Sequence, residues 1–180
     1  MKVLKFGGTS VADSKSINNV ISILKDNDEP LFIIVSAFGG VTNLLQKCIV
    51  SKGKSVSGII NEIEQRHLEV IDNLSSLEKQ SSLKSFLKQN LNELEDILDA
   101  ISTIDEVTDK TISKVLTLGE ILSSNIIYKI LKQKGFDISY IDSRDLIFTK
   151  DFNYSQILDS DKTSISIKNK IGLIKSKLVI

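Results

Sequence analysis

Two strand-length runs, Lys2–Phe6 and Leu31–Val35, each pass straight into a turn carrying Gly-Gly and then into a helical pattern. The first reads Lys2-Val-Leu-Lys-Phe-Gly-Gly-Thr-Ser10, the second Leu31-Phe-Ile-Ile-Val-Ser-Ala-Phe-Gly-Gly40. Leu31–Val35 is an unbroken apolar run, which is what a strand buried on both faces looks like, as in a parallel sheet covered by helices, and residues 2–6 also read as a buried strand. Both strands are therefore expected to be buried. Parallel strands open their ligand crevice at their carboxyl ends, and both glycine turns fall at such ends. They are candidates for a shared pocket.

The rest of the chain keeps the alternation. Ile17, Val20, Ile21 and Leu24 recur at i, i+3, i+4 and i+7, the spacing of an amphipathic helix. Residues 26–30 form a polar break closed by the only proline, and a helix is expected from about Val41. Three longer helical patterns follow. One carries Ile60, Ile63, His67, Val70, Ile71 and Leu74; the next carries Leu83, Leu87, Leu91, Leu94, Leu98 and Ile101. The third runs over about 111–132, with Gly135 as its stop. Residues 136–141 alternate like a strand, a helix is expected over about 165–176, and residues 178–180 begin another strand. Strands alternating with helices argue for an α/β domain with a mainly parallel sheet.

At 180 residues the chain suffices for one domain with a sizeable core. Its 23 basic and 23 acidic residues balance, so no net field draws it to nucleic acid or to an anionic membrane. The lone Cys48 excludes an intramolecular disulfide and suits a reducing compartment. It shares a helix face with Val41, Leu44, Leu45 and Ile49, which reads as a buried small hydrophobe rather than a reactive thiol. One His and one Cys argue against a transition-metal site, and no residue is assigned to a metal. With no signal-peptide pattern and no apolar run of membrane-spanning length, the cytoplasm is the default location.

Three constellations could carry chemistry. Lys5 stands beside the first turn, where Gly7 and Gly8 remove side chains that would keep a phosphate from the backbone amides and can adopt positive φ at little cost. The helix that follows would add unpaired N–H groups and its positive dipole end. A polyphosphate cradle and a plain strand-to-helix turn both fit, and the pattern is neither a P-loop nor a dinucleotide fingerprint. In the second turn Ser36, Gly39, Gly40, Thr42 and Asn43 could receive a carboxylate or phosphate, or Thr42 and Asn43 could simply cap the helix. The third is Thr117-Leu-Gly-Glu-Ile-Leu-Ser123. Gly119 costs about 1 kcal/mol relative to alanine inside a helix and so suggests a close approach by backbone or ligand. Glu120, if buried, needs a partner such as the ammonium of an amino acid; on the solvent side of the helix it needs none. His67, on an apolar stripe, reads as a hydrogen-bonded packing residue rather than a base. Asp142, Arg144 and Asp145 read as an ion-pair cluster in a turn, with support to a site as the other option.

Together these segments resemble the aspartate kinase family of the amino-acid-kinase fold. The matching stretches are Lys5-Phe-Gly-Gly-Thr-Ser-Val11, Ser36-Ala-Phe-Gly-Gly-Val-Thr-Asn43 and Leu118-Gly-Glu-Ile-Leu-Ser-Ser124. Ile63-Glu-Gln-Arg-His-Leu68 and Tyr140-Ile-Asp-Ser-Arg-Asp-Leu-Ile147 are similar to the kinase part of bifunctional aspartate kinase–homoserine dehydrogenases. The resemblance implies a three-layer αβα sandwich and ATP-dependent phosphorylation of the L-aspartate side-chain carboxylate to 4-phospho-L-aspartate, the first step toward lysine, threonine and methionine. It implies that Lys5 contacts the transferred phosphoryl group and acts catalytically, with Gly7, Gly8 and Ser10 at the phosphates. Ser36, Thr42 and Glu120 would hold aspartate, Glu120 through the ammonium. ATP with its bound Mg2+ would be the phosphoryl source, and the full-length form would be a homo-oligomer.

The family's Gly-Arg-Gly-Gly-Ser-Asp segment and the nucleotide-binding elements after it have no counterpart in residues 1–180. Residues 1–180 are therefore expected to be the N-terminal part of a kinase domain, weakly active or inactive alone. Two other readings stay open: a kinase of another small acid on the same fold, and a non-catalytic remnant that binds aspartate or a partner subunit.

Overall fold

The computed structural model describes residues 2–152 and 155–180. In chain order the elements are β1 (Lys2–Phe6), α1 (Ser14–Lys25), β2 (Leu31–Val35), α2 (Val41–Val50), α3 (Ser57–Leu74), α4 (Leu77–Ile104) and α5 (Asp109–Gln133). Then come β3 (Ile138–Ser139), β4 (Thr149–Phe152), β5 (Ser155–Leu158), α6 (Ser160–Ile171) and β6 (Leu178–Val179). Short 3-10 turns occupy Gly8–Val11 and Ser143–Asp145.

The main sheet has the order β1-β2-β6-β3 with every neighbouring pair parallel. The α/β class with a parallel sheet is as the sequence predicts. β4 and β5 pair antiparallel as a separate two-stranded ribbon that the hydrophobic pattern did not announce. In the β1–β2 register Lys5 faces Ile34 and Phe6 faces Val35, so both strands end at the same level. The two glycine turns consequently leave the sheet side by side.

Side chains alternate across a strand, and that alternation decides what is covered. Leu31 and Ile33 join one core with the apolar stripes of α1 to α5, and Leu4, Phe6 and Val35 pack against it. The stripes on α1, α3 and α4 are buried residue for residue as their spacing predicts. The opposite face of the sheet is different. Val3 is 66% exposed, Ile34 49%, and Lys5 is exposed as well. The expectations that β2 is buried on both faces and that β1 is a buried strand are therefore corrected. Helices α1 to α5 cover one face, and β1 is an edge strand.

Local chemistry explains the remaining boundaries. α5 ends in a Schellman motif: Phe136 N–H bonds the Leu131 carbonyl, Gly135 N–H bonds that of Lys132, and Gly135 has φ +84°. α6 spans Ser160–Ile171 instead of about 165–176: the Asp159 carboxylate caps the Lys162 N–H at 3.1 Å at its start, and Gly172 closes it as the C-cap. The strand expected over 136–141 shrinks to two ladder residues, though Ile141 N–H still reaches the Ile180 carbonyl at 2.8 Å. Among the described residues no helix is long and apolar enough to cross a membrane.

Candidate active site

The two glycine turns interlock. A side chain at Gly39 would meet the Ala12 Cβ at 2.8 Å and Cα at 3.0 Å, and one at Gly8 would sit 3.5 Å from the Ala37 carbonyl. α5 closes on the second turn from another side. A Cβ on Gly119 would lie 2.9 Å from that of Ala37 and 3.3 Å from Leu45 Cδ1. The close approach expected at Gly119 is thus to a side chain of the second turn. Nearby, the buried Ser123 hydroxyl donates to the Ser36 carbonyl at 2.8 Å. These contacts bring Ser36 against the segment of α5 that carries Glu120; Lys5 lies at the end of β1 opposite Ile34, a residue that lines one pocket with Glu120, and Thr42 lies in the first turn of α2.

The first turn differs from expectation in two respects. Neither Gly7 nor Gly8 uses a positive φ: Gly7 is extended at φ −74°, and the left-handed residues lie elsewhere. No α-helix follows directly either. The 3-10 turn Gly8–Val11 intervenes, and α1 begins at Ser14 under two carboxylates. Asp13 accepts the Ser16 N–H at 2.7 Å, and Glu69 accepts the Ser14 N–H at 3.2 Å and its hydroxyl at 2.5 Å. The hydrogen bond from Ser16 holds the Asp13 carboxyl below the usual carboxylate range. A helix end already satisfied by two anions repels a third. The Ser14 and Ser16 N–H groups at the start of α1 are thus already hydrogen-bonded within the protein.

The second turn is the open one. Gly40, at φ +81°, is the N-cap of α2, and no side chain caps the helix, so Thr42 and Asn43 do not serve as caps. Among the described residues the amides of Gly40, Thr42 and Asn43 donate no hydrogen bond. Unsatisfied N–H groups at a helix start make a ready receptor for an anion. Two exposed residues, Thr42 and Asn43, border it.

Glu120 is exposed, and its carboxylate has no hydrogen-bond or ion-pair partner among the described residues; the same is true of the Lys5 ammonium. Glu120 lines a pocket of about 270 Å3 with Ile34, Val35, Ser124, Tyr140 and Arg144. Arg144 forks onto Asp142, Nε to Oδ1 at 2.9 Å and Nη2 to Oδ2 at 2.5 Å, which holds the Asp142 carboxyl below its ordinary range. With Lys170 bound to Asp145 at 2.9 Å, this is the turn ion-pair cluster the sequence predicts. A larger hollow of about 450 Å3 between the end of α4 and the start of α5 is mostly apolar and contains none of the candidate residues. Its size does not bear on the chemistry.

Behind the second turn, His67 is fully buried. Its Nδ1–H donates to the Ile63 carbonyl at 2.7 Å, and its ring lies 4.9 Å from that of Phe38. Burial pushes its pKa down from 6.5 to about 4. His67 is a packing residue under the turn, as its place on the apolar stripe implies. Cys48 is likewise buried, its thiol pushed up to about 11 by burial.

The sequence model described as the amino acid kinase family matches residues 1–177. The chain belongs to that family. An aspartokinase of Chlamydia pneumoniae is 32% identical over 149 residues, 83% of this chain and 31% of its own length. A bifunctional aspartokinase/homoserine dehydrogenase of Buchnera aphidicola is 27% identical over 188 residues, 100% of this chain and 23% of its own. The chain thus spans less than a third of these relatives. The solved structure of Escherichia coli aspartokinase III in complex with aspartate and ADP matches with a TM-score of 0.83 at 19% identity, over 99% of this chain and 40% of that one. At that identity the likeness establishes the amino-acid-kinase fold.

Within this family member, one contact of the site was not anticipated from the sequence. Arg66 on α3 donates from Nη1 to the Gly39 carbonyl at 2.8 Å, while its Nη2 pairs with Glu62 at 2.7 Å. In the sequence Arg66 shows as part of the resembling stretch Ile63–Leu68 and as an i,i+4 partner of Glu62, with no sign that it reaches Gly39. No three His, Cys, Asp or Glu side chains stand together as metal ligands among the described residues.

Proposed function

We propose that this chain supplies the aspartate-binding and phosphate-facing part of an ATP-dependent kinase that phosphorylates the side-chain carboxylate of L-aspartate. The reading rests on one observation: a cation without a partner, Lys5, and an anion without a partner, Glu120, stand at the same end of the sheet, beside interlocked turns with free amides. The zwitterionic substrate has complementary groups. Glu120 would hold the ammonium, while Ser36, Thr42 and the free amides of the second turn would hold carboxylate oxygens. Gly7, Gly8 and Ser10 would border the nucleotide phosphates, with Lys5 against the γ-phosphoryl group.

In the reaction a side-chain carboxylate oxygen attacks the γ-phosphorus, the bond to the β-phosphate oxygen breaks, and ADP leaves with 4-phospho-L-aspartate as the other product. Such a transfer depends on alignment and on neutralising charge. A fixed ammonium contributes most where negative charge grows in the transition state. Magnesium carried on the nucleotide would supply further charge neutralisation. A cytoplasmic enzyme at the entry to lysine, threonine and methionine synthesis is the corresponding setting.

Calorimetry of the 180-residue chain with L-aspartate and with succinate, which lacks the ammonium, tests the reading. L-Aspartate should bind at least about tenfold more tightly, the scale of one charge-assisted hydrogen bond. Glu120→Gln should remove that preference without weakening succinate. Where trapping of the acyl phosphate with hydroxylamine reports turnover, Lys5→Met should lower it by about 10²–10³-fold and leave L-aspartate binding unchanged. Equal affinity for the two acids, or none for either, overturns the proposal; aspartate binding without acyl phosphate assigns the chain a binding role alone.

A further inference from the structure

α3 touches both glycine turns from behind. Glu62, Arg66 and Glu69 are spaced four and three residues apart, so they share one face of that helix. Glu69 holds the start of α1 through Ser14, at the far end of the first turn. Arg66 holds the Gly39 carbonyl, and the neighbouring His67 ring lies against Phe38. Gly39 is also where the second turn meets Ala12 and the Gly8 carbonyl of the first. One guanidinium therefore bonds the residue at which the two turns interlock.

The orientation of that bond has a chemical outcome. The peptide joining Gly39 to Gly40 is planar and trans, so its C=O and N–H point in opposite directions. With the carbonyl fixed toward α3, the Gly40 N–H is directed away from α3, and it is one of the free amides at the start of α2. Two glycines flank this peptide, and neither has a side chain to resist a flip. Glu62 keeps the guanidinium in place through Nε at 3.3 Å and Nη2 at 2.7 Å, which leaves Nη1 for Gly39.

We propose that Arg66 is a positioning residue, one that fixes the Gly39–Gly40 peptide so that the Gly40 N–H faces the anionic ligand and the two glycine turns stay in mutual register. The ligand in this statement is the substrate carboxylate of the proposed function, on which the binding arm of the test rests. The Arg66–Glu62 pair itself is surface-exposed, 41% and 50%, and such pairs add little to global stability. Loss of Arg66 is therefore felt locally.

The test compares the full chain with Arg66→Met and Arg66→Lys by hydrogen exchange and by calorimetry with L-aspartate. Arg66→Met should speed exchange about tenfold at the Val41 and Leu44 amides of the second turn and at the Ser10 amide of the first. These amides bond the carbonyls of Phe38, Gly40 and Gly7. Amides in the middle of α4 should exchange as in the parent. L-Aspartate should bind about tenfold more weakly, and free guanidinium ion should restore much of both losses. Arg66→Lys, which keeps one donor, should fall between the two and carries the test if Arg66→Met does not fold. Unchanged exchange at the turns, or acceleration spread evenly over the chain, overturns the role of Arg66. If the parent fails to bind L-aspartate while the local acceleration is present, the substrate reading falls and the positioning role stands.

Discussion

Two residues show how local environment decides consequence. Gly119 sits in a helix, where alanine would gain about 1 kcal/mol of propensity, yet a methyl group there meets the Ala37 Cβ at 2.9 Å. Ala37 has no rotamer with which to yield, and overpacking costs about 1–3 kcal/mol. Gly119→Ala should therefore lose about 1 kcal/mol net in denaturant unfolding and displace the second turn. His67 makes a prediction about pH. Its ring is neutral in the fold down to about pH 4 but takes up a proton near 6.5 when the chain unfolds. The unfolded state thus binds more protons between those values, and stability falls as pH drops from 6.5 toward 4, by at most about 3 kcal/mol. His67→Phe should flatten that part of the stability–pH profile, as read by denaturant midpoints at pH 7, 5.5 and 4.5. The role of His67 was legible from its place on an apolar stripe. That of Arg66 was not, because a long side chain reaching another segment leaves no mark on local spacing.

At the scale of elements, helices were the most legible, since a stripe repeating at i, i+3 and i+4 states both the structure and its buried face. α4 follows this from Leu83 to Ile101 without exception. Stops were legible where a residue type enforces them. Gly135 has φ +84° and open space around a hypothetical Cβ, so Gly135→Ala should cost about 1–2 kcal/mol through backbone strain alone, measured as a lowered unfolding free energy with the α5 core intact. Legibility failed where polar capping outweighed apolar spacing, as at Asp159 before α6, and where short strands carry mixed side chains, as in β4 and β5. It failed again at the first turn. The glycine pair was visible, but the tertiary carboxylate of Glu69 over the start of α1 belongs to a residue more than fifty positions away.

Across the whole molecule, the order of strands and helices was enough to indicate a parallel sheet, but a run of apolar residues does not say which faces are covered. β2 makes the point with adjacent isoleucines. Ile33 is 1% exposed and Ile34 49%. Ile33→Ala should cost about 2–5 kcal/mol and Ile34→Ala less than about 1 kcal/mol, a contrast readable from two melting curves. The candidate site extends the same lesson, since its residue types were visible as separate motifs and their meeting depends on how the turns pack. That packing brings bare backbone at Gly39 against one of the smallest side chains, at Ala12. A side chain at Gly39 demands that Ala12 give up its methyl, whereas Gly39 has nothing to surrender to a larger residue at 12, so the compensating exchange open to the pair is Gly39→Ala together with Ala12→Gly. A combinatorial library varied at both together would then recover working sequences that libraries varied at one position never reach.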